Sequence, residues 1–118
     1  MNGSEELVDA WVPLPDIAEA SGLGISKIRR FVEDGSLVGV RRTDRDIFQV
    51  PALFLDDESR PIRHLRGTVT TLRDAGFDDE AAIVWLFTPD ESLPGRPIDL
   101  LRCGSKTEVR RRAQALAL

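Results

Sequence analysis

A mainly helical fold carrying one small β-hairpin is what this sequence predicts, and three observations predict it. Apolar residues recur at helical spacing over most of the 118-residue chain. Glycines close the periodic stretches, at Gly22, Gly35, Gly76 and Gly104, where a helix commonly ends in the left-handed conformation. Only residues 37–50 depart from this pattern, as two β-prone runs about a polar connector.

Each element follows from local chemistry. Residues 1–10 offer little to bury and read as a flexible arm. Trp11-Val12 reads as a short extended lead-in stiffened by Pro13 and Pro15. A first helix from Leu14 to about Ala20 sets Leu14, Ile17, Ala18 and Ser21 on one face, with Asp16 and Glu19 in its early turns. Gly22-Leu23-Gly24 turns the chain into a second helix from about Ile25 to Asp34. There Ile25, Ile28, Phe31 and Val32 form one apolar stripe. Leu37–Arg42 and Asp46–Val50 then pair as the hairpin, Pro51 ends its second strand, and Pro51 to Leu55 add a helical turn.

Beyond the polar link at Asp56–Arg60 the pattern is helical again. Ile62, Leu65, Val69 and Leu72 mark a helix from about Pro61 to Ala75, with Gly67 inside it. Asp78 caps the next, Asp79 to Phe87; Pro97 opens a short one that stops at Gly104. Ser105-Lys106-Thr107-Glu108 has the spacing of a capping box and starts a last helix with Val109, Ala113 and Leu116 aligned. The organisation is thus an arm at 1–10, a winged helix-turn-helix at 11–58, and a helical C-terminal domain at 59–118.

Composition narrows the function. With 42% hydrophobic and 31% charged residues the chain can bury a core, which excludes a disordered tail. No apolar run reaches the roughly 18–20 residues of a membrane span, and the acidic start at Glu5-Glu6 is unlike a signal peptide, so a cytoplasmic, nucleoid-associated protein is expected. One cysteine, Cys103, and one histidine, His64, leave no disulfide and no Cys-based zinc site. Asp56-Asp57-Glu58 and Asp78-Asp79-Glu80 lack the alternating ligands and central glycine of a Ca²⁺ loop. No phosphate-cradling glycine loop and no nucleophile–base pair is legible, so neither an enzyme nor a cofactor is expected.

The net charge of −4 hides an uneven distribution. Residues 1–24 hold five acids and no base, whereas residues 25–50 hold six bases against four acids. Exposed charges are screened over about 10 Å at 0.1 M salt, so a basic segment sets its own local field. If Ile25, Ile28, Phe31 and Val32 face inward, Ser26, Lys27, Arg29 and Arg30 face outward. Arginine there can donate two hydrogen bonds to guanine O6 and N7, and Ser26 suits a phosphate oxygen. Arg41, Arg42 and Arg45 surround the hairpin turn, where a ribbon follows the backbone or enters the minor groove. The expected partner is double-stranded DNA. A homodimer would let two recognition helices read neighbouring half-sites.

The segment VPLPDIAEASGLGISKIRRFVEDGSLVGVRR resembles the small winged helix-turn-helix domains of the MerR and excisionase type. The resemblance rests on Ile17-Ala18-Glu19, Gly22, Ser26, Ile28-Arg29-Arg30-Phe31, Asp34-Gly35-Ser36-Leu37 and Val40-Arg41-Arg42. Pro13 stands where such domains usually carry a Ser or Thr cap. The whole chain, including the tail GRPIDLLRCGSKTEVRRRAQALAL, is similar to a family of actinobacterial DNA-binding regulators. That resemblance implies transcription regulation, and a serine/threonine protein kinase acting on the N-terminal arm, where Ser4 is the available hydroxyl.

Two other readings compete. The tail also resembles the C-terminal domain of antitoxins, in which Trp85, Leu86, Pro97, Leu100, Gly104 and Val109 would serve a protein partner. Arg110-Arg111-Arg112 reads as a solvated face of the last helix, with a second DNA contact as its alternative.

Overall fold

The computed structural model describes residues 3–42 and 46–117. Its elements run α1 (Gly3–Leu7), β1 (Trp11–Pro13), α2 (Leu14–Ser21), α3 (Ile25–Glu33), β2 (Val40–Arg42), β3 (Ile47–Pro51), α4 (Leu65–Asp74), α5 (Asp79–Phe87), α6 (Pro97–Arg102) and α7 (Lys106–Ala115), with a 3-10 turn at Ala52–Phe54. The fold is mainly helical with a small antiparallel sheet, that of a winged helix followed by a helical C-terminal region.

The hairpin forms, with Val40 opposite Gln49 and Arg42 opposite Ile47. Its second strand is also the centre of a three-stranded sheet, because β1 pairs with it from Trp11↔Pro51 to Pro13↔Gln49. The proline-stiffened lead-in is therefore an edge strand. Both Pro13 and Pro51 sit at strand ends, where a missing N–H costs little. Gly39, just before β2, is where the chain passes tightest. A Cβ there would overlap the Gln49 carbonyl oxygen and press to 2.9 Å from the Phe48 ring.

One core serves the whole chain. Ile17 of α2, Ile28 of α3, Leu37, Val38 and Val50 beside the sheet are fully buried in the same cluster as Leu65, Leu72, Ile83, Leu86 and Ile98. Phe54 bridges the two halves, its ring centroid 5.6 Å from that of Phe87. The radius of gyration, 13.6 Å, is close to the roughly 13–14 Å of one compact body of this length.

Three local expectations change. Residues 3–8 are not a loose arm: α1 packs on α5, Val8 enters the core, and Ser4 is fully buried. The Ser4 backbone N–H donates to Glu80 Oε2 at 2.7 Å and its hydroxyl to Oε1 at 2.6 Å. A carboxylate from α5 thus helps Leu7 and Val8 to anchor a segment that is otherwise polar. Next, α4 starts at Leu65 and not at Pro61, because Pro61 bridges Leu55 and the Ile62 N–H donates to the Phe54 carbonyl at 3.0 Å. His64 then turns the chain with a positive φ of 73°. Finally, Ser105 makes no side-chain cap bond; Glu108 is drawn to Arg111 and Arg112. The Asp78 cap does form, accepting from the Ala81 N–H at 2.8 Å.

Candidate nucleic-acid interface

α2 and α3 meet across a turn in which Gly22 takes φ 75° and donates to the Ala18 carbonyl at 3.1 Å. α3 begins at Gly24 without a side-chain cap. It is held by Ile28, fully buried, while Ile25, Phe31 and Val32 are half-buried. The seat is shallow, so most of the helix stays outside the core. Gly35, at φ 83°, ends the segment and abuts α4: a Cβ there would lie 3.8 Å from Val69 and 3.2 Å from the Arg73 guanidinium.

The outward face of α3 is the one the sequence indicates. Ser26, Lys27, Arg29, Arg30 and Glu33 are exposed. Lys27 Nζ sits 5.4 Å from the Phe31 ring centroid, and none of Lys27, Arg29 and Arg30 makes an ion pair among the described residues. Arginines elsewhere differ. Arg73 Nη2 donates to Asp79 at 3.0 Å, and Arg96 binds Asp99 through two bonds of 2.8 Å. Arg102 donates to the Leu53 and Leu55 carbonyls, and Arg112 Nε donates to Ser92 Oγ at 2.9 Å. These four arginines have protein partners, whereas the cations of α3 make no ion pair among the described residues.

The wing arginines separate into distinct positions. Arg41 is exposed on β2; its guanidinium donates to the Asp46 carbonyl at 2.8 Å and lies 3.7 Å from that residue's carboxylate. Arg42 is half-buried, its guanidinium 5.5 Å from the Trp11 ring centroid, a cation–π contact worth about 0.5–1 kcal/mol that ties β2 to β1. Arg45 lies outside the described residues. Ile47, at the wing's end, is 46% exposed, an apolar side chain next to the cations.

One residue near the site had no signal in the linear pattern. Arg66 of α4 is exposed and acts, with Lys27, on the Asp34 carboxyl at the end of α3. Burial raises that carboxyl, but the Ser36 hydrogen bonds and the two cations outweigh it and hold Asp34 below the usual range. Its neighbourhood with Lys27 arises only when α4 folds back beside the Gly35 turn, which no local periodicity encodes.

The residues of the antitoxin reading are placed otherwise. Leu86, Pro97, Leu100 and Val109 are buried and the half-buried Trp85 packs against them, so these five build the core, while Gly104 is exposed. No helix among the described residues is long and apolar enough to cross a membrane.

A family model described as the Rv2175c C-terminal domain of unknown function matches residues 62–117. A relative, the DNA-binding protein Rv2175c of Mycobacterium tuberculosis (strain ATCC 25618 / H37Rv), is 36% identical over 116 residues, spanning 88% of this chain and 78% of the relative. The chain belongs to the Rv2175c family. The NMR structure of Rv2175c superposes with a TM-score of 0.82 at 34% identity, covering 93% of this chain and 82% of that one. The match to the Rv2175c fold thus includes the α2–α3 unit and the sheet, and not only the C-terminal helices. Neither of these names is that of an enzyme.

Proposed function

We propose that this protein binds double-stranded DNA with α3 in the major groove and the β2–β3 hairpin on the flanking backbone or in the minor groove, as a regulator of transcription. The observation that carries this reading is the exposed strip of Ser26, Lys27, Arg29 and Arg30, without an ion pair among the described residues, on a helix anchored through Ile28. An α-helix fits the major groove, and arginine presents a planar fork to guanine worth roughly 1–3 kcal/mol of discrimination per good pair. The name of the Rv2175c relative supports the same partner.

In this reading Arg29 and Arg30 reach base edges, while Ser26 and Lys27 take phosphates. Arg41 follows the backbone at the wing, joined by Arg45 on sequence grounds. Arg42 contributes mainly by bracing the sheet against Trp11. A second copy related by a two-fold would read a half-site about 34 Å away. Regulation by a kinase at Ser4 would require α1 to leave α5 first, because that hydroxyl is buried against Glu80.

A salt-graded gel shift with random and genomic duplexes tests the proposal. With four or five phosphate contacts, log K is expected to fall against log salt with a slope of roughly −4. Arg29→Ala/Arg30→Ala should bind at least about ten-fold more weakly, as expected when two base or phosphate contacts go. A double variant that matches wild type at every salt concentration contradicts the site.

A further inference from the structure

The helical half of the chain has its own cationic edge. Arg63 and Arg66 are exposed at the start of α4, and His64, between them, is half-buried. Across α4 lies α7, whose Lys106 and Arg110 are half-buried beside His64. The Arg110 guanidinium lies over Gly67, where a Cβ would overlap it. None of Arg63, Arg66, Lys106 and Arg110 makes an ion pair among the described residues. Their neighbours on α7 behave in the opposite way: Arg111 and Arg112 both pair with Glu108.

Asp34 offsets Arg66 in part, and the remaining like charges repel one another, so an arriving anion is favoured there. The group is shared between the α4 start and the α7 face. It also lies next to the end of α3, because α4 abuts the Gly35 turn through Val69 and Arg73, and Arg66 shares their helix face. A polyanion lying along α3 would meet it next.

We propose that the C-terminal domain makes a second DNA contact, in which Arg63, His64, Arg66, Lys106 and Arg110 hold the phosphate backbone of the same duplex beside the segment entered by α3. This rests on the duplex-binding reading of α3 and gives the C-terminal domain a role of its own. It makes the two halves of the chain one interface and lengthens the DNA footprint on the α4 side.

The test compares two full-length variants with equal loss of charge on a duplex about three turns long (roughly 30 bp). Arg63→Ala/Arg66→Ala removes exposed side chains that make no ion pair among the described residues, and a thermal melt confirms that its fold is intact. Its affinity should fall at least about ten-fold at low salt, with a log–log slope shallower by about 2, since each phosphate contact contributes roughly 0.9. Arg111→Ala/Arg112→Ala, on the paired side, should bind as wild type does. The single histidine supplies a second readout by NMR. Partial desolvation and the charges of Lys106, Arg110 and Arg63 hold His64 below its ordinary pKa, and a phosphate seated beside it should raise that value. Equal effects of the two charge-loss variants, or a His64 titration unmoved by DNA, overturn the second contact while loss of binding in Arg29→Ala/Arg30→Ala keeps the first. A wild-type chain that binds no duplex overturns both.

Discussion

α3 and α7 are the two helices richest in cations, and the fold treats them differently. On α3, Lys27, Arg29 and Arg30 stand exposed and make no ion pair among the described residues. On α7, Arg111 and Arg112 close on Glu108, and Arg112 reaches Ser92 as well. Arg110 turns the other way, over Gly67. Three consecutive arginines therefore divide between an internally satisfied surface and an open one. In the proposed reading a binding face is told by cations left without an ion pair, and not by the local density of basic residues.

The same contrast fixes what substitutions should do. Ile28→Ala removes the one fully buried side chain of α3, and a large-to-small change at such a site costs about 2–5 kcal/mol of stability. Chemical denaturation should show the loss, with duplex binding falling alongside it as the helix loosens. The two tight glycines come next and should differ in sign. At Gly39 an added Cβ meets a backbone carbonyl and an aromatic ring that cannot move aside, so Gly39→Ala should destabilise by about 1–3 kcal/mol. At Gly67 it meets only the far end of Arg110, and Gly67→Ala should gain up to about 1 kcal/mol from helix propensity as the guanidinium swings off. Thermal melts of the two variants read both signs.

Smaller effects are expected on the paired side. Arg111→Ala/Arg112→Ala should cost under about 1 kcal/mol, the usual worth of exposed ion pairs, visible in an equilibrium denaturation curve. Acid should unfold the α6 start gradually. The two hydrogen bonds from Arg96 hold the Asp99 carboxyl below its ordinary value of 3.8, against the opposing pull of burial. A carboxyl depressed in the fold stabilises it fully above that value and loses the contribution as pH falls below it. Comparing melting temperatures of wild type and Asp99→Asn between neutral pH and pH 3 should show the gap closing as the solution is acidified.

Much of this was legible in the sequence. The glycine-bounded α2–α3 unit, the hairpin and the exposed strip follow from periodicity and turn chemistry, because each is decided within about a dozen residues. The strip's lack of ion pairs was not legible, since pairing depends on which acids the fold brings near. For the same reason β1 read as a lead-in: three residues with two prolines nearby become a strand only when Val50 and Pro51 lie opposite. α1 read as an arm because one buried hydrogen-bonded serine and Glu80, 76 residues away, share in the anchoring. The basic edge formed by Arg63, Arg66, Lys106 and Arg110 is scattered through the chain and gathers only when α7 packs on α4.

The most direct measurement is an amide NMR titration of the full chain with duplex DNA. Shifts should be largest over residues 25–33 and at the wing around 40–42, while Glu108, Arg111 and Arg112 stay nearly still. Saturable duplex binding with the α3 amides unmoved would contradict the account.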